Sequence, residues 1–165
     1  MSEEVNIMNG AEAAEVSDLG EKYLTFNIDG AIYGITIENV IEIIGVEKTT
    51  EVPGIPRYIK GIINLRGKVV PVIDARLKIG AAEKEYDELT CIIVITWRDA
   101  EIGLIVDSVA EVADLSSREH ANLPDFSNIN TNKYLSSVCR VGEKLILLFD
   151  CDKLLADESE IAAMI

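Results

Sequence analysis

The sequence predicts a mainly β protein made of two tandem, similar barrels of about five short strands each, packed around a shared apolar core. Three observations carry this expectation. The first is an internal echo. Residues 58–79 (YIKGIINLRGKVVPVIDARLKI) align without a gap on residues 134–155 (YLSSVCRVGEKLILLFDCDKLL), with Tyr58 over Tyr134, Lys68 over Lys144 and Asp74 over Asp150. Upstream, residues 23–46 align on 92–115, with Gly34 over Gly103, Val40 over Val109 and Glu42 over Glu111. The offset grows from 69 to 76, so seven residues (76 less 69) are inserted between Leu115 and Tyr134. Two copies are too few for a solenoid, and one copy alone would bury too little surface to be robust. The second observation is composition: 48% of residues are apolar but only 5% aromatic, so the core is built from Ile, Val and Leu, which favours strands. The third is the absence of long helical segments between strands, which parallel crossovers would require.

The elements follow in chain order. Residues 1–21 carry Glu3, Glu4, Glu12, Glu15, Asp18 and Glu21 without Lys or Arg, and are expected to form a disordered acidic tail. The first repeat with its connector spans 22–90, the second spans 91–156, and a closing helix is expected within 152–165. Tyr23 to Ile28 alternates as a strand, and Asp29-Gly30 reads as a hairpin turn because both central positions favour φ > 0. Ile32 to Ile37 returns. Ile37, Val40, Ile41 and Ile44 are spaced like a helix face, so a helical turn is expected before the third strand. Gly45, Pro53-Gly54 and Pro56 mark loops. Tyr58 to Leu65 leads to the Arg66-Gly67 turn, and Lys68 to Ile73 returns. Pro71 cannot donate a ladder hydrogen bond, which predicts an exposed strand edge there.

The second repeat repeats the plan. Cys91 to Trp97 and Glu101 to Val106 form a hairpin, and Val112 to Leu115 is a strand. Ser116 and Glu119 have the spacing of a capping box for a short helix in the insertion. Val138 to Val141 and Lys144 to Phe149 form the last hairpin. Asp74 and Asp150 are placed to cap the helical turns that follow them, with Asp152 as the alternative cap for the second.

The formal charge of −14, from 15 basic and 29 acidic residues, opposes nonspecific binding to nucleic acid or insertion at an anionic membrane. Residues 57–78 are the exception: Arg57, Lys60, Arg66, Lys68, Arg76 and Lys78 face one acid, Asp74. The window reads either as solvated turns or as a docking face for an acidic partner. Cys91, Cys139 and Cys151 lie in or beside apolar strands without a C-x-x-C pair, which fits buried reduced thiols in a cytoplasmic protein. No secretory leader or membrane-span pattern is present. The catalytic inventory is thin. His120 is the single histidine, and no phosphate loop, dinucleotide fingerprint or nucleophile elbow occurs. No catalytic residue, metal site or cofactor is expected, and a small hydrolytic enzyme is the weaker alternative.

Tyr33-Gly34-Ile35, Val40-x-Glu42-Ile43, Ile59-Lys60-Gly61, Asn64-Leu65-Arg66-Gly67, Val70-Pro71-Val72-Ile73-Asp74 and Ile102-Gly103-Leu104-Ile105-Val106-Asp107, in that order and spacing, resemble the CheW family of chemotaxis adaptors over residues 20–158. The resemblance implies two SH3-like barrels. It also implies a noncatalytic adaptor coupling the cytoplasmic tips of methyl-accepting chemotaxis receptors to the regulatory domain of the histidine kinase CheA. Such a protein is recruited from the cytoplasm to membrane receptor arrays, with the receptor tip in the groove between barrels and the kinase docked barrel end to barrel end. A similar adaptor of a non-flagellar chemosensory pathway is the alternative. A CheA kinase or a CheV protein would need further domains. On the matching positions, the resemblance implies partner contacts at Arg66, Glu42, Val40, Lys60, Gly61 and, more weakly, Val69 and Val72. The residues themselves leave alternatives: Arg66 as a solubilising turn residue, Val40 as strand core, Glu42 as a solvated face, Gly61 as a backbone requirement, and Val69 and Val72 as core or edge-strand residues. The acidic tail lies outside the family pattern, and the second repeat has Gly142, not arginine, where the first has Arg66.

Overall fold

The computed structural model describes residues 22–115, 119–121 and 133–156, with the side chains of 119–121 excepted. Among the described residues eleven strands are seen: β1 (Lys22–Ile28), β2 (Ala31–Thr36), β3 (Val40–Gly45), β4 (Ile59–Leu65), β5 (Lys68–Asp74), β6 (Cys91–Trp97), β7 (Ala100–Val106), β8 (Ser108–Asp114), β9 (Glu119–Ala121), β10 (Leu135–Val141) and β11 (Lys144–Phe149). The expected helical turn before β3 is a single 3-10 turn, Ile37–Asn39. Two one-turn helices, Ala75–Lys78 and Cys151–Leu155, follow β5 and β11. Both are capped as the sequence predicts: Leu77 N–H donates to Asp74 and Lys153 N–H donates to Asp150. The second helix starts at Cys151, and Ile161 and Met164 lie outside the described residues.

The strands form two sheets, in the orders β3-β6-β7-β5-β4 and β8-β1-β2-β11-β10-β9. These are the two SH3-like barrels, called barrel I and barrel II. Barrel I closes through the continuation of β3. Thr50 exchanges backbone hydrogen bonds with Ile62 of β4 at 2.8 and 2.9 Å, so the chain leaving one edge strand reaches the other. In barrel II the same role falls to β9, which follows β8 and pairs with β10. Glu119 therefore lies in a strand and does not cap a helix, while Ser116 lies outside the described residues.

The barrels do not follow the repeat boundary, which corrects the expectation of one barrel per repeat at 22–90 and 91–156. The first hairpin of repeat one, β1–β2, sits in barrel II between β8 and β11. The first hairpin of repeat two, β6–β7, sits in barrel I between β3 and β5. Barrel I thus takes one hairpin from the second repeat and three strands from the first, and barrel II takes one hairpin from the first repeat and four strands from the second.

This exchange places three apolar clusters. Barrel I is filled by Ile63, Leu65, Val70, Val72, Ile92, Val94 and Ile105. Barrel II is filled by Leu115, Cys139, Ile146 and Leu148. The largest cluster lies between the barrels and draws on both, including Phe26, Ile35, Ile73, Ile95, Trp97, Leu104 and Phe149. β6 shows why both faces are apolar: Ile92 and Val94 point into barrel I, whereas Ile93, Ile95 and Trp97 point to the shared cluster.

Pro71 is a second correction. β5 is an internal strand, paired with β4 on one side and β7 on the other, and Pro71 is buried. The ladder to β7 covers Val72 to Asp74, just past the proline. On the other side, Pro71 opposes Ile62, whose own N–H and C=O go to Thr50. Neither neighbour asks Pro71 for a donor, so an inner strand accepts it.

Candidate functional site

The Asn64-Leu65-Arg66-Gly67 turn joins β4 to β5, and each residue has a separate task. Leu65 is buried in barrel I. Asn64 accepts a hydrogen bond from Gly67 N–H at 2.9 Å through its side chain, which folds the turn back on itself. Arg66 and Gly67 sit at φ of 53° and 86°, the two positive values that a tight hairpin turn of this kind requires. Glycine takes such a conformation freely; arginine does so at a cost. In the second repeat the same place is Gly142, at φ 63°. The first repeat thus carries a long charged side chain where its own copy has the residue the backbone prefers.

Closure of barrel I brings this turn beside β3. Both guanidinium nitrogens of Arg66 reach the two carboxylate oxygens of Glu42, a fork-to-fork pair. Arg66 remains 66% exposed at its side chain and Glu42 26%. Two of the expected site residues, 24 positions apart in sequence, therefore meet on one rim. On β3, Ile41 and Ile43 flank Glu42 with 41% and 42% of their surface exposed, and Val69, three residues beyond Arg66, is 45% exposed.

The remaining expected site residues lie elsewhere. Val40 is half-buried and packs on the cluster between the barrels. Val72 is fully buried inside barrel I. Lys60 is six positions before Arg66, roughly 20 Å away at ~3.3 Å per strand residue. Its amine pairs with Glu83 at 2.9 Å, as does Arg57 at 2.8 Å. The hydrogen bond and charge of Lys60, followed by those of Arg57, hold the Glu83 carboxyl below its ordinary value. Gly61 is buried at φ 137°, and a Cβ there would lie 2.2 Å from the Thr50 carbonyl oxygen. It is needed where the barrel closes and offers a partner no side chain.

The basic window does not form one face. Lys68 pairs with Glu101 at 2.8 Å. Arg76 is buried and bridges Asp107 at 2.7 Å and Asp29 at 3.2 Å. Lys78 is buried with its amine over the rings of Tyr58 and Tyr134, the two echoed tyrosines. Sequence proximity on a strand–helix segment scatters side chains around the barrel, which is why the window looked more unified than it is.

Sequence reasoning missed the exposed aliphatic residues of these strands. Their signal was present in the echo: Ile43 aligns with Val112 and Val69 with Leu145, and these second-repeat residues are 54% and 56% exposed. Each barrel thus presents the same pair of exposed aliphatic positions, with Arg66 in one barrel and Gly142 in the other. A cleft of about 300 Å³ opens between the barrels, lined among others by Tyr23, Thr36, Trp97, Phe149 and Asp152. None of the seven expected site residues lines it. The Cys151 thiol, which also borders the cleft, is pushed up to about 12 by burial and then by Asp150 and Asp152, so it stays protonated and unreactive. No helix among the described residues is long and apolar enough to cross a membrane.

Comparison with known proteins agrees with this architecture. Residues 22–159 match the model of the CheW-like domain. A chemotaxis protein CheW of Klebsiella aerogenes is 36% identical over 140 residues, covering 85% of this chain and 84% of the relative. One of Bacillus subtilis is 35% identical over 145 residues, covering 88% and 93%. The crystal structure of the scaffolding protein TtCheW from Thermoanaerobacter tengcongensis superimposes with a TM-score of 0.71 at 32% identity, over 79% of this chain and 89% of that one. With the echoed double barrel, the Asn64-Leu65-Arg66-Gly67 turn and this match over most of its length, the chain belongs to the CheW family.

Proposed function

We propose that this protein is a chemotaxis adaptor that couples the cytoplasmic tips of methyl-accepting receptors to the histidine kinase CheA by protein contacts, without chemistry of its own. It is recruited to receptor arrays at the membrane by those contacts. The observation that carries this reading is the set of equivalent exposed aliphatic positions, Ile43 and Val69 on barrel I and Val112 and Leu145 on barrel II. A linking protein needs two faces, and a duplicated barrel supplies them in one rigid body.

The two faces differ where specificity is needed. Barrel I adds the Arg66–Glu42 pair, whose planar fork suits a partner carboxylate. Such a carboxylate competes with Glu42 for the guanidinium, so binding exchanges one ion pair for another and selects for partners that place an acid correctly. Barrel II, with Gly142, offers apolar contact alone at that position.

Co-precipitation with CheA and with a receptor cytoplasmic fragment tests the proposal, using the wild type and Arg66→Ala. The wild type is expected to retain both partners, and the variant to lose kinase control by the receptor while remaining folded. Failure of the wild type to retain either partner would refute the adaptor reading. A folded variant with normal coupling would remove Arg66 from it.

A further inference from the structure

The second repeat leaves open a place that the first repeat covers with its own chain. Under the gapless offset of 76, Asp150 and Ser136, which line the cleft between the barrels, are the counterparts of Asp74 and Lys60. The backbone around the two places is the same. Asp74 N–H donates to the Tyr58 carbonyl at 2.7 Å, and Asp150 N–H donates to the Tyr134 carbonyl at 3.0 Å. Each aspartate then caps its one-turn helix through Oδ1, which accepts from Leu77 N–H in one repeat and from Lys153 N–H in the other.

The second carboxylate oxygen distinguishes them. In the first repeat the connector that leads to β6 lies over the place. Tyr86 donates its hydroxyl to Asp74 Oδ2 at 2.7 Å, and Lys60 donates to Glu83 at 2.9 Å. Asp74 is buried with both oxygens engaged. In the second repeat Asp150 Oδ2 has no hydrogen-bond partner among the described residues. Ser136 is shorter than the lysine it replaces, and a cleft of about 300 Å³ remains. Its walls include Phe149 and Trp97, where the first repeat has Ile73 and Ile28. The residue that the same offset places on Tyr86 is Ala162, which has no hydroxyl.

We propose that this cleft is a docking site for a tyrosine side chain of a partner protein, seated as Tyr86 is seated in the first repeat, with its ring against Trp97 and Phe149 and its hydroxyl donated to Asp150. A tyrosine brings an apolar body for the aromatic walls and a polar tip that needs an acceptor once covered. A cationic side chain fits less well. The Arg98 guanidinium already lies 4.6 Å from the centre of the Trp97 ring and 3.9 Å from Asp152, and it would repel a second cation there. The contact is separate from the Arg66 rim and does not depend on the adaptor reading.

Trp97 is the single tryptophan of the chain, so its indole N–H gives one resonance in the spectrum of the isotope-labelled full chain. N-acetyltyrosinamide, N-acetylphenylalaninamide and N-acetylargininamide are titrated separately, with no kinase or receptor present. The tyrosine probe is expected to shift this resonance saturably and to bind about fivefold more tightly than the phenylalanine probe, which covers Asp150 without supplying a donor. Asp150→Ser keeps a good helix cap but removes the second oxygen, and is expected to bring the two probes to equal affinity. Ser136→Lys restores the residue of the first repeat and is expected to weaken both probes by filling the cleft. It serves as the test if Asp150→Ser does not fold. Equal affinity of the two aromatic probes for the wild type, tighter binding of the arginine probe, or no saturable shift with the tyrosine probe would each overturn the proposal. A tyrosine preference that persists in Asp150→Ser, or full binding in Ser136→Lys, would overturn the assigned seat.

Discussion

Arg66 stands in a left-handed backbone conformation that its repeat counterpart fills with Gly142, and this comparison separates what the fold needs from what a partner needs. A non-glycine residue there costs about 1 kcal/mol, while an exposed pair such as Arg66–Glu42 returns about 0.5 kcal/mol. Arg66→Gly should therefore leave stability to urea within ~1 kcal/mol of the wild type, yet weaken partner binding at least about tenfold, ~1.4 kcal/mol. Parallel urea titration and calorimetric binding measure both. Gly61 is the opposite case. Gly61→Ala places a methyl against the Thr50 carbonyl at the barrel closure and should cost about 2–3 kcal/mol. Its loss of coupling should track loss of folded protein in a thermal melt. The Asn-Leu-Arg-Gly turn was legible in the sequence residue by residue, because turn chemistry is local. The meeting of Arg66 with Glu42 was not, since it depends on closure of a barrel through Thr50 and Ile62.

At the scale of elements, hairpin turns and helix caps were legible for the same reason: Asp29-Gly30, Asp74 and Asp150 act within a few residues of themselves. The connector between β5 and β6 was not legible, because it is held by tertiary contacts. Tyr86 donates its hydroxyl to the buried carboxylate of Asp74 at 2.7 Å, so one aspartate both caps a helix and anchors the connector. Burial, followed by the hydrogen bond to and the charge of Asp74, pushes the Tyr86 phenol well above its ordinary value near 10. The folded protein thus holds this proton more tightly than the unfolded chain does. The contact contributes in full below pH 10 and is lost as pH rises beyond it through the raised folded value. Tyr86→Phe should cost about 2 kcal/mol at neutral pH by leaving a buried acceptor short of a donor. It should also flatten the alkaline decline in stability above pH 10. A urea series from pH 7 to 11 checks both, and a decline equally steep in the variant would assign it to other groups.

At the scale of the whole molecule, the repeat was legible and its use was not. The echo marks two equivalent sets of strands, and which hairpin closes which barrel is decided by connectors of three residues after β2 and one after β7, too short to carry a strand back past its own hairpin as a parallel neighbour. The structure gives that exchange an energetic meaning. The largest apolar cluster lies between the barrels and each barrel borrows a hairpin, so neither repeat contains a complete barrel. Residues 22–90 produced alone leave the sockets beside β3 and β5 empty, and hairpin β1–β2 without β8 and β11. Residues 91–165 alone are missing the complementary set. Each half should therefore give a poorly dispersed amide spectrum by itself, and the mixture should recover the dispersion of the intact protein as a one-to-one complex. Phe26 and Tyr33 of the first half stack on Phe149 of the second, and a second copy of 22–90 would offer Ile73 in that place, so the mixed complex is predicted to form in preference to two copies of that half. A dispersed, monomeric spectrum from 22–90 alone would mean that a repeat can close its own barrel, and that the exchange is a choice of the fold without being a condition for it.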